Sequence, residues 1–87
     1  MSKIKSIHDS RYRELIEVLA EERIRLNISQ GELGEQIGLH QSDISKIEKF
    51  ERRLDVLEFA MILDVFRIST NTQLASSITE YLGLDKS

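Results

Sequence analysis

Apolar positions recur at helical spacing along almost the whole chain. Leu15, Leu19 and Leu26, with Ile16 and Ala20 beside them, mark one face of a first helix, expected from Asp9 or Ser10 to about Asn27. Within it Glu21 precedes Arg25 by four, a spacing that supports a solvated helix face. Ser29 followed three residues later by Glu32 is a capping-box signature and announces a second helix. Leu33 and Ile37 sit one turn apart on it, and Gly38 suits its left-handed C-terminal position. So short a helix is not stable by itself and must pack on neighbours. A third helix is expected over about 41–49, with Ile44 and Ile47 as its apolar pair. The charged stretch Glu51-Arg52-Arg53 then leads through Leu54 to a second capping box, Asp55 with Glu58, opening a helix over 56–66. That segment is apolar at Val56, Leu57, Phe59, Ala60, Ile62, Leu63 and Phe66, and is expected to form the central rod of the core. Thr70 with Gln73 reads as a third capping box, opening a last helix that runs to about Leu82 and ends at Gly83. Leu74, Ile78 and Leu82 form a single stripe on it, with Tyr81 alongside.

Composition narrows the class. The 87 residues suit one domain, spanning 1–87, with no repeat or linker. Absence of Pro and only four Gly favour helices over a turn-rich β fold. Absence of Cys excludes disulfides and thiolate metal sites, and His8 and His40 are too far apart in sequence to suggest a metal centre. No segment is long and apolar enough to span a membrane, no leader is legible after Met1, and no helix pairs an apolar face with a dominant basic one. A cytoplasmic, all-helical domain without membrane attachment or cofactor is the expectation. An enzyme is not expected, since no nucleophile in an activating arrangement, Gly-rich phosphate loop or metal-ligand cluster is present. The net charge of −3 lowers the expectation of indiscriminate binding to nucleic acid. Residues 1–53 nevertheless balance ten Lys/Arg against ten Asp/Glu, so the acidity lies in the last third.

Residues 30–49 are the informative stretch: a short helix, a Gly turn and a second short helix make a helix-turn-helix. Leu33, Ile37, Leu39, Ile44 and Ile47 converge on one core between the two helices. On a helical wheel Ser42, Ser45, Lys46 and Lys49 lie within about 40–140° of Gln41, while Ile47 and Ile44 lie at about 240° and 300°. The outer face therefore carries an amide, hydroxyls and two cations, and Asp43 turns away from it. Gln forks onto adenine N6 and N7, Ser donates or accepts, and Lys reaches guanine or phosphate, so the face suits a major groove. Such a face is also what any solvated helix shows. The cap, the Gly turn and the paired short helices give it its meaning.

Residues 15–66 resemble the Cro/C1-type (XRE-like) helix-turn-helix family of phage and bacterial repressors. The resemblance is carried by Ser29-Gln30, Leu33-Gly34 and Ile37-Gly38-Leu39, then Gln41-Ser42-Asp43-Ile44-Ser45-Lys46-Ile47-Glu48. Glu51-Arg52-Arg53-Leu54-Asp55-Val56 resembles a frequent continuation. It implies a five-helix, lambda-repressor-like domain that binds double-stranded DNA, usually as a dimer on a palindromic operator. By position, Gln41, Ser42 and Lys46 would read bases. Gln30, Ser45, Lys49, Arg53 and His40 would contact backbone or groove, with Gln30 bracing Gln41. Arg23 and Glu48 match a structural, partly buried ion pair. The chain departs from the pattern at Phe50, where Gly is frequent, and at Gly34, where Ala is usual. A bulky residue disfavours positive φ, so the loop at Phe50 is expected to take another route.

The stripe of Leu74, Ile78, Tyr81 and Leu82 fits either docking on the core or a homodimer interface. Two short recognition helices about 34 Å apart read a palindrome that one cannot. A different class, an antitoxin-like module of the same fold, would instead use the acidic last third for a protein partner.

Overall fold

The structure, a computed structural model, describes residues 9–83. The ends of the expected 1–87 domain, with His8 and Lys86, lie outside the described residues. The described chain forms five helices: α1 (Ser10–Arg25), α2 (Gln30–Ile37), α3 (Gln41–Glu48), α4 (Val56–Val65) and α5 (Thr72–Leu82). The architecture is all-α and lambda-repressor-like, with no strand among the described residues.

Local signals position most of the helix ends. The Asp9 carboxylate accepts from Arg11 N and Tyr12 N and caps α1. At α2 the box is reciprocal: Ser29 Oγ accepts from Glu32 N (3.0 Å) while Glu32 Oε1 accepts from Ser29 N (2.8 Å). Asp55 and Glu58 do the same at α4, at 2.8 and 3.1 Å. Gly38 (φ 80°) and Gly83 (φ 72°) end α2 and α5 in the left-handed region. Against expectation α1 stops at Arg25, because Asn27 turns to φ 61°. The cap of α5 is Asn71 rather than Thr70: its Oδ1 accepts from Leu74 N at 3.0 Å, one residue later in register.

Ile16 and Leu19 of α1, Leu33 and Ile37 of α2, and Ile44 and Ile47 of α3 close the core with Ile62, Phe66 and Leu74. The expectation of α4 as a central rod is not met. Val56 is 80% exposed and Leu57 67%, and Ala60 and Met61 are also exposed. The helix is apolar on more than one face; the packing buries Glu58 and Ile62 and covers Phe59, Leu63 and Val65 in part.

Two further expectations change. Arg25 pairs with Glu22, not Glu21. Glu22 is buried, and its Oε2 also accepts from Asn71 Nδ2 at 2.7 Å, clasping the end of α1 to the start of α5. The hydrogen bond from Arg25 holds the Glu22 carboxyl below the ordinary carboxylate range, against a smaller opposing effect of burial. Phe50 does adopt φ 64°, so the loop keeps the left-handed route that Gly would take. Its ring packs against the core, and the Arg13 guanidinium lies 4.5 Å from the ring centroid. A left-handed residue costs about 1–2 kcal/mol, and the packing of the half-buried ring on the core together with the Arg13 contact offsets that local preference. Among the described residues no helix is long and apolar enough to cross a membrane.

Candidate nucleic-acid interface

The α2–α3 turn sets the position of α3. Leu39 N donates to Gly34 O at 2.8 Å, and the turn lies directly on Gly34. A Cβ at residue 34 would stand 2.6 Å from Leu39 O and 3.2 Å from His40 O, so an Ala here needs the backbone to move. Glycine thus permits an approach of turn to helix that alanine would not.

On α3, Ile44 and Ile47 point into the core and are 2% and 4% exposed. Gln41, Ser42, Lys46 and Lys49 are exposed, and Ser45 is half-buried beside them. His40 is exposed at the N-cap position. Asp43 turns back, its Oδ2 accepting from His40 N at 3.0 Å, so no acid intrudes on the outer face from that position.

A continuous hydrogen-bonded chain runs from α1 to the start of α3. Arg23 Nε donates to Glu48 Oε2 at 2.7 Å, and Arg23 Nη2 to Glu48 Oε1 at 3.0 Å. Gln30 Nε2 donates to the same Glu48 Oε1 at 3.0 Å. Gln41 Nε2 in turn donates to Gln30 Oε1 at 2.8 Å. Arg23 Nη1 also donates to Ile28 O, tying the α1–α2 loop to the same cluster. The structure therefore brings together four of the residues singled out in the sequence, and spreads Ser42, Ser45, Lys46 and Lys49 along the adjoining face.

Arg53 is exposed in the loop before α4, whereas Arg52 is turned inward. Arg52 Nη1 and Nη2 donate to Glu58 Oε1 and Oε2 at 3.0 and 2.9 Å, and its Nε lies 3.9 Å from Asp43 Oδ1. This brace joins α3 to α4. The same Arg52 hydrogen bonds hold the Glu58 carboxyl below the ordinary carboxylate range and raise the guanidinium's own pKa. Sequence reasoning read Glu58 only as a capping residue. The signal for more was a carboxylate among the apolar residues that open the helix, Val56, Leu57, Phe59 and Ala60.

Of the α5 stripe, Leu74 is buried, Ile78 and Tyr81 are half-buried, and Leu82 is 56% exposed. The Tyr81 hydroxyl donates to Arg11 O at 2.6 Å, and burial raises its pKa. Much of that stripe is thus engaged within the chain. The larger exposed apolar surface belongs to α4. Tyr12 lies between the two: its hydroxyl accepts from Leu54 N at 2.9 Å, and its ring borders a shallow cleft with Leu82. Among the described residues no group of three or more His, Asp or Glu is placed to hold a metal ion.

A helix-turn-helix family model matches residues 19–73, from the second half of α1 to the first turn of α5. No curated protein matches the chain.

Proposed function

The chain belongs to the Cro/C1-type helix-turn-helix family of DNA-binding regulators, and we propose that it is a dimeric repressor that lays α3 in the major groove of a palindromic operator. The observation that carries the reading is the two-sided character of α3. Ile44 and Ile47 anchor one side, while Gln41, Ser42 and Lys46 stand on the other as base-reading groups. The amide of Gln41 is held by Gln30 instead of being left to rotate, which reduces the ordering cost on binding. Gln30, Ser45, Lys49, Arg53 and His40 flank these groups as contacts to the sugar-phosphate backbone or groove wall. Arg52 is committed to Glu58 and is left out of that set.

Two copies would meet through the exposed face of α4, Val56, Leu57, Ala60 and Met61, with Leu82 of α5 adding to it. This face is self-complementary in an antiparallel helix pair: Val56 of one copy meets Met61 of the other, and Leu57 meets Ala60. Its nearness to the loop after α3 lets dimerisation set the spacing of the two recognition helices. The whole chain acts as one domain, without a catalytic role or cofactor, in the cytoplasm at the nucleoid. Repression then follows from occupancy of the operator.

Selection of bound duplexes from a random DNA pool, at about 150 mM salt, tests the reading. Enrichment of a palindrome with half-sites about 10 bp apart supports it. A folded protein that enriches no sequence refutes it, and turns attention to an antitoxin-like role in which the α4 face and the acidic last third hold a protein partner.

A further inference from the structure

We infer that Glu48, which sits behind the recognition face, determines which purine Gln41 prefers by fixing the direction of the amide relay between them. The inference rests on the proposed base-reading role of α3.

The direction follows from donor and acceptor counts. A carboxylate paired with a guanidinium has only lone pairs to offer. Glu48 Oε2 is taken by Arg23 Nε, and Oε1 by Arg23 Nη2 and Gln30 Nε2. Gln30 must therefore turn its NH2 toward Glu48, because its carbonyl oxygen there would face another acceptor. Its Oε1 is then left at the far end of the amide, where it too can only accept. Gln41 meets it with Nε2 at 2.8 Å. One N–H of Gln41 is thereby committed inward. The side chain keeps one N–H and its carbonyl oxygen for whatever lies in front of α3.

A donor beside an acceptor matches adenine in the major groove, where N7 accepts and N6 donates. Guanine presents two acceptors there, N7 and O6. A Gln41 with its oxygen turned inward and both N–H groups outward would match guanine instead. That reversed relay requires Gln30 to present its oxygen to residue 48, which Glu48 forbids and an amide at 48 would allow. Glu48 is 16% exposed, and its three donors all come from protein side chains, so it acts through Gln30 and Gln41 as a positioning residue.

The test uses the full chain and the duplex selected by it. The position read by Gln41 is identified as the one whose preference is lost in Gln41→Ala. Competition binding then compares adenine with guanine at that position. The wild type is expected to favour adenine by about tenfold, within the discrimination that one good bidentate contact provides. Glu48→Gln is expected to reduce the ratio to about twofold or less. Gln30→Met cuts the relay while leaving the Arg23–Glu48 pair intact, and is expected to do the same. Arg23→Lys retains the carboxylate and is expected to keep the ratio even as it lowers stability, an outcome that separates direction-setting from structural support. If Glu48→Gln fails to fold, Gln30→Met decides. A tenfold ratio retained in Gln30→Met, or a wild-type preference for guanine, overturns the inference. If Gln41→Ala alters no position at all, it is the reading of α3 itself that fails.

Discussion

Removing Arg23 strips Glu48 of two of its three donors and leaves a carboxylate that is 16% exposed with Gln30 alone as its partner among those contacts. An exposed ion pair is worth about 0–1 kcal/mol, and breaking a buried one costs about 3–5 kcal/mol. The Arg23 and Glu48 side chains, 11% and 16% exposed, lie close to the buried limit, and the contact is bidentate. Arg23→Met should therefore cost about 2–3 kcal/mol, softened by the donor that Glu48 keeps. Of this, about 1 kcal/mol belongs to the bond from Arg23 Nη1 to Ile28 O and is not shared with Glu48. The coupling between the two side chains is then expected to be about 1–2 kcal/mol. It is measured by urea unfolding, followed by circular dichroism, of the wild type, Arg23→Met, Glu48→Leu and the double variant. For a domain whose whole stability is of order 4–13 kcal/mol, such a term is easily resolved. A coupling below about 0.5 kcal/mol would show that the pair behaves as a surface contact and that α1 is not tied to α3 through it.

Three more perturbations have definite signs. Gly34→Ala gains about 1 kcal/mol of helix propensity but drives a Cβ to 2.6 Å from Leu39 O. Overpacking against backbone costs about 1–3 kcal/mol, so urea unfolding should show a net loss, and a gain would mean that the turn yields freely. Glu22 and Glu58 both have folded pKa values below their unfolded ones, chiefly through hydrogen bonds from Arg25 and Arg52. The stability they add is therefore present at neutral pH and is lost as pH falls through the ordinary carboxylate range and below. Glu22→Gln should lower stability at pH 7 and flatten the acid limb, whereas an unchanged limb in thermal melts between about pH 7 and pH 3 would contradict that assignment. Leu57→Glu places a charge on the exposed face of α4 and should shift sedimentation-equilibrium mass toward monomer with the helical spectrum unchanged. An unaltered dimer would move the interface elsewhere.

What could be read from the chain, and what could not, divides along physical lines. The helix-turn-helix was legible because its signals are local: the Ser29–Glu32 box, Gly38 at the turn, and Ile44 with Ile47 on one side of α3. The contacts Gln30–Gln41 and Arg23–Glu48 join residues that the family resemblance had singled out by position. The link from Gln30 to Glu48, which makes one chain of them, was not visible, since it depends on how α2 and α3 cross. α4 reads as buried because apolar residues fall on more than one of its faces, and only the arrangement of the other described helices shows that Val56 and Leu57 are left exposed. At Phe50 a sound local rule lost to packing: the ring's place against the core and under Arg13 outweighs the dislike of a bulky residue for positive φ. The clasp of Glu22 with Asn71, 49 residues apart, has no local signature at all.

Methylation interference on the selected duplex tests most directly whether α3 reads DNA. Dimethyl sulfate marks guanine N7 in the major groove and adenine N3 in the minor groove. Reading through α3 predicts loss of binding when N7 is methylated in two patches about one helical turn apart. Interference confined to adenine N3 would contradict it.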